Sequence, residues 1–453
     1  MDAVSERAFP RRTGPASSAV EPLPDPDEVA GTLPRWPFLL LYVGFPAFWL
    51  LGLGYFASAL CAVPMLVLLW MRRTVHVPLA FGLWVVFVAW VVAAAFMVDD
   101  PSRLLGLGVR LVNYGAAAVL FVYVVNAERL RTTTVLWSLA FFFAFVVVGG
   151  YLGVIAPEVR LTTLTGRVLP GAIGANEYVR DLVNPRFAEV QQPWGAPEPF
   201  YRPSAPFPYT NSWGVNTALL VPVVIAAATT AGRRLRIVLV LLLAAALVPA
   251  LATLNRGLFL ALGFGIAWAA VRLAWRRRFR PLVVLLCTTA AGLAVGVLSG
   301  AVASLQERLE YSETNEGRLG IYGEAFRGTL ESPLLGNGSP RPSTTYVISV
   351  GTQGQIWNVM FSYGFPALAF FLGWFAVVAW RSRRWTTDAD LWLHVAAVLV
   401  LFTVFYYGYD GPQLTTALVV AALVMRPRRD GPSTADPPHH DALDTAARRE
   451  QAS

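Results

Sequence analysis

Long apolar runs alternate along the chain with short polar breaks made of arginine clusters or Gly/Pro turns. The runs fall near residues 37–52, 54–70, 76–97, 104–126, 134–155, 214–231, 237–253, 258–274, 281–300, 355–380, 391–408 and 412–425. A helix needs roughly 20 predominantly apolar residues to cross the hydrocarbon core of a bilayer. Twelve such runs therefore predict an all-α fold, a polytopic integral membrane bundle of about 12 transmembrane helices. The first two runs are joined, because Trp36 to Trp70 is one continuous apolar stretch whose turn signal is Gly52-Leu53-Gly54. Two long connections remain, residues 156–213 and 301–354, and both fall on the same side of the predicted membrane. Long ordered loops in compact proteins often carry function.

Composition agrees with this pattern and excludes other classes. With 56% hydrophobic and only 14% charged residues among 453, and a mean hydropathy of +0.53, the chain is too apolar for a soluble globular protein. Its two cysteines, Cys61 and Cys287, both lie inside apolar runs and read as small packing residues rather than a disulfide framework. Residues 1–35 are polar and carry Pro10, Pro15, Pro22, Pro24, Pro26 and Pro34, which predicts a disordered N-terminal tail rather than a signal peptide. Residues 427–453 read as a matching C-terminal tail, leaving 36–426 as the membrane domain.

Charge adds orientation. The net charge is +8, and every one of the 36 basic residues is arginine. Alternate connections hold seventeen arginines, clustered at 72–73, 129–131, 233–236, 276–280, 381–384 and 426–429, whereas the short connections of the other set hold Arg103 and Arg256. That asymmetry predicts cytoplasmic termini and places both long loops outside the membrane. Because the cations are not gathered on one exposed face, they argue for a membrane partner and against nucleic acid.

Candidate chemistry is sparse. The four histidines, His76, His394, His439 and His440, all fall on the predicted inner side, so an outer metal site or Ser-His pair has no ligand there. No P-loop, GxGxxG or HExxH sequence is present. Arg256, in Thr253-Leu254-Asn255-Arg256-Gly257, sits at the outer mouth of a tight hairpin. A guanidinium at membrane depth costs at least ~2.5 kcal/mol and so normally faces a cavity, a partner or a ligand. Its alternative is to snorkel to a lipid headgroup. Arg110, beside Asn113 and Tyr114 in the fourth run, is a similar case that could instead pair with Asp99 or Asp100.

The second loop contains the segment from Gly317 to Gly338. Leu319, Tyr322, Phe326 and Leu330 recur at helical spacing and predict an amphipathic helix lying against the membrane surface or the bundle. Arg318 is predicted to open it and Pro333 to close it. A cation at a helix start opposes the macrodipole. An anion held jointly by Arg318 and the first amides would account for it, and an ion pair with Glu316 or Glu324 is the simpler alternative.

These segments together resemble the O-antigen ligase and polymerase superfamily of polytopic glycan transferases. Asn255-Arg256-Gly257 is similar to the family's Ser-Arg-Gly. Arg318, Tyr322 and Ala325 followed by Pro333-Leu334-Leu335-Gly336-Asn337-Gly338 resemble its Arg, aromatic, Ala, then Pro-Leu-Leu-Gly-x-Gly. Gly351-Thr352-Gln353-Gly354-Gln355-Ile356-Trp357-Asn358 with Phe361-Ser362-Tyr363-Gly364-Phe365-Pro366 is similar to the stretch where that family re-enters the membrane. Arg202-Pro203 through Tyr209-Thr210-Asn211-Ser212-Trp213-Gly214 resembles the element before its sixth span. The likeness covers about residues 200–370.

The resemblance implies an enzyme of the plasma membrane that transfers or polymerises a polyprenyl-diphosphate-linked glycan donor onto the hydroxyl of a glycan or lipid-glycan acceptor at the outer face. It implies no metal and no other cofactor. Arg256 and Arg318 carry over as the groups that stabilise the leaving diphosphate. Arg110, Arg202, Asn211, Tyr322 and Trp213 are the expected substrate-binding residues. Where ligases of the family have a histidine before the tenth span, this chain has Gln353, or Gln355. Neutral glutamine can hold a hydroxyl but cannot accept its proton. Either a carboxylate such as Glu324 or Glu316 is the base, or the leaving group makes one unnecessary. The rings of Pro193-Trp194, Phe200-Tyr201, Phe207-Pro208-Tyr209 and Trp213 could stack on sugars or pack a lid onto the bundle. The rival readings are a lipid-linked oligosaccharide flippase and a metal-assisted transferase using Asp99-Asp100.

Overall fold

A computed structural model describes residues 32–171, 176–192, 198–300, 303, 306, 314–343, 345 and 348–426. The two terminal tails, Trp194 and the histidine pair 439–440 lie outside the described residues, as does the side chain of Glu316. The chain is mostly helical with little sheet. Its longer helices are α1 (Ala57–Trp70), α2 (Gly82–Ala93), α3 (Leu104–Asn126), α4 (Thr132–Ile155), α5 (Thr210–Thr230), α6 (Arg233–Ala245), α7 (Arg256–Trp275), α8 (Phe279–Leu298), α9 (Thr314–Glu331), α10 (Gln355–Ser382), α11 (Asp388–Thr403) and α12 (Pro412–Met425).

Among the described residues, eight helical segments are long and apolar enough to cross a membrane: 79–97, 101–126, 132–155, 210–230, 233–252, 256–275, 279–298 and 355–382. The twelve predicted runs thus reduce to eight long segments and four shorter pieces. The run at 37–52 is broken into two seven-residue helices, Trp36–Tyr42 and Phe45–Leu51, separated at Gly44. The second ends on Gly52 at φ 81°, a left-handed cap that glycine adopts without penalty. α1 and α12 are each 14 residues long.

α5 lies at the centre, packed against α4, α7, α11 and α12, while α3 runs between α1 and α12. A sheath of rings surrounds this core; Phe81 stacks on Phe121 at 4.4 Å, and Trp374 meets both edge-on. By contrast α8 buries only Gly296; Leu282 and Leu285 pack against the core, while its valines and remaining leucines face outward, as expected of a helix in contact with lipid. Several arginine-rich turns satisfy the carbonyls that helix ends leave without partners. Arg426 donates to Val124, Ala127 and Leu130 O at the end of α3, and Arg72 donates to Asn126 O at 2.8 Å.

The two long connections have structure of their own. Residues 156–213 contain the antiparallel pair β1 (Ala188–Gln191) and β2 (Phe200–Pro203), with Glu189 opposite Arg202. Residues 301–354 contain α9 and the short pair β3 (Arg341–Pro342) and β4 (Ser349–Val350).

α9 departs from expectation twice. It already includes Thr314, so Arg318 sits a turn inside the helix, and the first amides are not beside it. Its buried face is Ile321, Ala325 and Thr329, whereas Leu319, Phe326 and Leu330 are 69%, 46% and 55% exposed. Small side chains allow close helix packing and leave the large apolar ones facing out, the arrangement of a membrane protein rather than of a soluble amphipathic helix.

The turn after α9 locks into a kink in α10. Gly364 has φ 82° and ψ 177°, Pro366 follows it, and Phe365 N–H donates to Pro333 O at 2.9 Å. A Cβ at Gly364 would overlap the Leu334 carbonyl oxygen and stand 2.7 Å from Pro333 O. A Cβ at Gly336, itself at φ 65°, would stand 2.5 Å from Tyr363 N. The glycines of Pro333-Leu334-Leu335-Gly336-Asn337-Gly338 and of Tyr363-Gly364-Phe365 are therefore two halves of one backbone contact.

Candidate functional site

The hairpin between residues 252 and 256 is the first component of the site. Leu254 is buried with φ 47°, an uncommon conformation for a branched side chain and a point of stored strain. Asn255 caps α7, its Oδ1 accepting from Leu258 N–H at 3.3 Å, and Tyr407 O–H donates to the same oxygen at 2.8 Å. Its Nδ2 donates to Thr210 O at 3.2 Å, tying the hairpin to the start of α5. Gly257 lies so near Tyr407 that a Cβ would stand 2.7 Å from the phenolic oxygen. Arg256, the first residue of α7, is thus held between fixed neighbours and is half-buried.

Arg202 supplies the second component. It is 3% exposed on β2, its Nε donates to Thr253 O at 2.9 Å, and an Nη donates to Gln191 Oε1 at 3.0 Å. The same strand pair brings in Glu189, whose carboxylate accepts from Thr210 N–H at 3.0 Å and Gln191 Nε2 at 2.6 Å. Burial depresses the pKa of Arg202; Glu189 and Tyr407 oppose that shift, and the charges of Arg318 and Arg256 add to it.

The third component comes from α9. Arg318 lies close enough to be felt by Arg256, Arg202, Tyr322 and Tyr407. Its Nε is buried and, among the described residues, has no hydrogen-bond partner. One turn on, Tyr322 stacks on Trp357 with ring centres 4.3 Å apart and planes at 10°, and its hydroxyl donates to Gln353 O at 3.1 Å. Burial raises the Tyr322 pKa. The site therefore gathers three guanidiniums from three separate stretches of chain. Guanidiniums within electrostatic reach of one another make the surroundings favourable for an anion.

Of the expected site residues, Arg202, Arg256, Arg318 and Tyr322 come together. Gln353 joins them through its backbone oxygen, and its side chain reaches Thr352 Oγ1 at 3.4 Å. Gln355 belongs elsewhere: it is 2% exposed, with Nε2 donating to Tyr114 Oη at 2.9 Å and Oε1 accepting from Tyr409 N–H at 2.8 Å. Asn211 is exposed beside the hairpin, its Oδ1 3.5 Å from Asn255 Nδ2.

Three expected site residues lie apart from the arginine group. Trp213 is fully buried with its indole N–H on Val146 O at 3.0 Å, so it is a core residue with no face for a substrate. Glu324 lies six positions beyond Arg318, about 240° around the helix, and accepts from Ser343 Oγ at 2.6 Å. It is off the face that carries Arg318 and Tyr322; Glu189 is the carboxylate that Arg202 senses. Arg110 is paired neither with Asp99, which bonds Arg103, nor with Asp100, which caps Ser102 N–H at 2.9 Å. It stands 3.4 Å from Ser339 Oγ and shares its field with Asp410, in a second polar group that includes Tyr114 and Tyr363.

Glu189, Gln191 and Tyr407 were not read from the sequence. The pairing of β1 with β2 could have pointed to Glu189, since it puts a carboxylate directly across from Arg202. Tyr407 follows α11 with no local motif to mark it. Among the described residues no group of three or more His, Cys, Asp or Glu side chains is gathered as a metal site would require. No protein-family model matches the chain, and no curated protein matches it either.

Proposed function

We propose that this protein is a membrane glycan transferase in which Arg256 and Arg318, beside the buried charge of Arg202, hold the diphosphate of a polyprenyl-linked glycan donor. The observation that carries this reading is the convergence of three arginines from separate stretches, one with a buried donor nitrogen that has no partner among the described residues. Guanidinium groups in a poorly hydrated groove suit a diphosphate, which offers several charged oxygens at bidentate spacing. The resemblance of residues 200–370 to the O-antigen ligase and polymerase superfamily supports the same chemistry.

In the proposed reaction an acceptor hydroxyl oxygen bonds to the anomeric carbon of the donor sugar. The bond from that carbon to the diphosphate oxygen breaks, and its electron pair leaves with the polyprenyl diphosphate. Negative charge grows on the leaving oxygen, and the three guanidiniums stabilise it there. The acceptor proton passes to Glu189 or, through water, to the departing diphosphate. Arg202 is fixed by Thr253 and Gln191 and sets the pocket's shape, so Arg256 and Arg318 are assigned the donor contacts.

The arginine asymmetry supports cytoplasmic termini and an outer face for the cluster, with twelve membrane segments once the four shorter apolar runs are counted. The test is an assay of purified protein with a polyprenyl-diphosphate glycan and candidate acceptors in the presence of chelator. Product in wild type and its loss in Arg256→Ala and Arg318→Ala support transfer. Unchanged product in both variants, or donor translocation without transfer, refutes it.

A further inference from the structure

Two arginine-rich turns, between α7 and α8 and between α10 and α11, are joined into one surface. Residues 272–280 and 381–390 hold eight arginines against two carboxylates, Asp388 and Asp390. Arg272 donates to Arg383 O, Arg278 pairs with Asp388, and Arg276 and Arg278 lie over the buried Trp385 ring at 5.3 and 5.9 Å. Helices α7, α8 and α10 are long and apolar enough to span a bilayer, which puts both turns at a membrane surface. Trp275 and Trp380 beside them are 78% and 64% exposed, as indoles at headgroup depth are.

Within this surface Arg277 is the anomaly. α7 closes with two backbone bonds, Arg278 N–H to Leu273 O and Arg277 N–H to Ala274 O, both at 2.9 Å. That pair of bonds is the Schellman closure, whose left-handed residue is normally glycine. Here it is Arg277, exposed and at φ 55°, a conformation that costs any side chain more than it costs glycine. Chain orientation alone does not require the exception, because the adjoining arginines already supply the charge. Among the described residues, the guanidiniums of Arg277, Arg280 and Arg384 have no ion pair, side-chain hydrogen bond or ring contact, and all three are exposed.

An occupant of this surface must bring negative charge to the three guanidiniums and hydrocarbon to the exposed rings in the same place. Free phosphate brings no hydrocarbon, and neither does an acidic peptide. A zwitterionic headgroup sets a second cation among the arginines. A phospholipid of net negative charge meets both demands: its phosphate oxygens suit the planar fork of arginine, and its acyl chains can lie against Trp275, Phe279 and Trp380. We propose that Arg277, Arg280 and Arg384 bind the headgroup of an anionic phospholipid, flanked by Trp275 and Trp380. The site includes no residue assigned to glycan transfer, and neither assignment depends on the other.

The test titrates the full chain in detergent micelles with dioleoylphosphatidylglycerol, dioleoylphosphatidylcholine or inorganic phosphate. Native mass spectrometry counts bound lipid, and ellipticity on heating reads stability. Phosphatidylglycerol should bind at least about tenfold more tightly than phosphatidylcholine and raise the melting temperature. That preference should fall at least about tenfold in Arg277→Gln/Arg280→Gln/Arg384→Gln and persist in Arg233→Gln/Arg234→Gln, which removes exposed arginines from the start of α6. Arg277→Gly separates binding from folding: relief of the left-handed turn should make the lipid-free protein melt higher than wild type, while phosphatidylglycerol affinity falls about fivefold. Because that variant is expected to gain stability, it remains decisive if the triple variant fails to fold. Equal affinity for the two lipids, or inorganic phosphate stabilising as well as phosphatidylglycerol, would overturn the assignment. So would an unchanged preference in the triple variant, an equal loss in the Arg233/Arg234 variant, or an Arg277→Gly protein that melts lower than wild type.

Discussion

Gly364→Ala is the sharpest test of the contact that joins the turn after α9 to the kink of α10. At φ 82° and ψ 177°, residue 364 occupies backbone space that side chains avoid, and holding alanine there costs about 1–3 kcal/mol. The new methyl would also overlap Leu334 O and stand 2.7 Å from Pro333 O. Those carbonyls cannot retreat freely, because Phe365 N–H is bonded to Pro333 O at 2.9 Å. Overpacking of this kind adds about 1–3 kcal/mol, so the total loss should be about 2–6 kcal/mol. Gly323→Ala is the control, since a Cβ there meets nothing within 4 Å inside α9, and it should gain about 0.5–1 kcal/mol from helix propensity. Thermal unfolding of the purified proteins in one detergent, followed by ellipticity, reads both. The reasoning is refuted if Gly364→Ala melts with wild type, or if the two variants shift in the same direction.

Further predictions concern the candidate site and its surroundings. Arg256→Lys and Arg318→Lys keep the charge but lose the planar fork, so transfer should fall at least about tenfold, and about a hundredfold or more in the alanine variants, with membrane abundance unchanged on immunoblots. Asn255→Ala removes the cap of α7 and the acceptor of Tyr407 O–H; a stability loss of about 0.5–2 kcal/mol is expected from the cap alone, partly restored by Asn255→Asp and measurable by chemical unfolding. Asp410 has a pKa raised above 3.8 in the folded chain, so the folded state keeps a proton that the unfolded state has already lost. Its contribution to stability therefore falls as pH rises from the ordinary carboxylate value through the raised one. Asp410→Asn should flatten that part of a pH–stability curve.

Arg256 was legible because it stands out against an apolar background at a hairpin tip, whereas Arg318, among Glu316, Glu324 and Arg327, was legible through the motif it opens. The glycines at 336 and 364 were legible as parts of motifs, but their shared physical cause appears only when the two turns touch. The faces of α9 were read with the rule for a soluble helix, which sends large apolar residues inward. Here Ile321, Ala325 and Thr329 pack while Leu319 and Leu330 face out, because small residues bring helices close in an apolar surrounding. Trp213 looked like a stacking platform because aromatics were dense around it, yet density does not distinguish a lid from a core. Glu189 and Tyr407 owe their position to a strand pairing and an inter-helix loop, neither of which leaves a local periodicity to read.

The account rests on Arg256 and Arg318 gripping a single diphosphate, and a cryo-electron-microscopy structure of the protein with a bound polyprenyl diphosphate tests that most directly. Density for the diphosphate between the two guanidiniums, within hydrogen-bond reach of Arg318 Nε or its terminal nitrogens, is the predicted result. A diphosphate seated elsewhere, or guanidiniums too far apart to share it, would contradict the account.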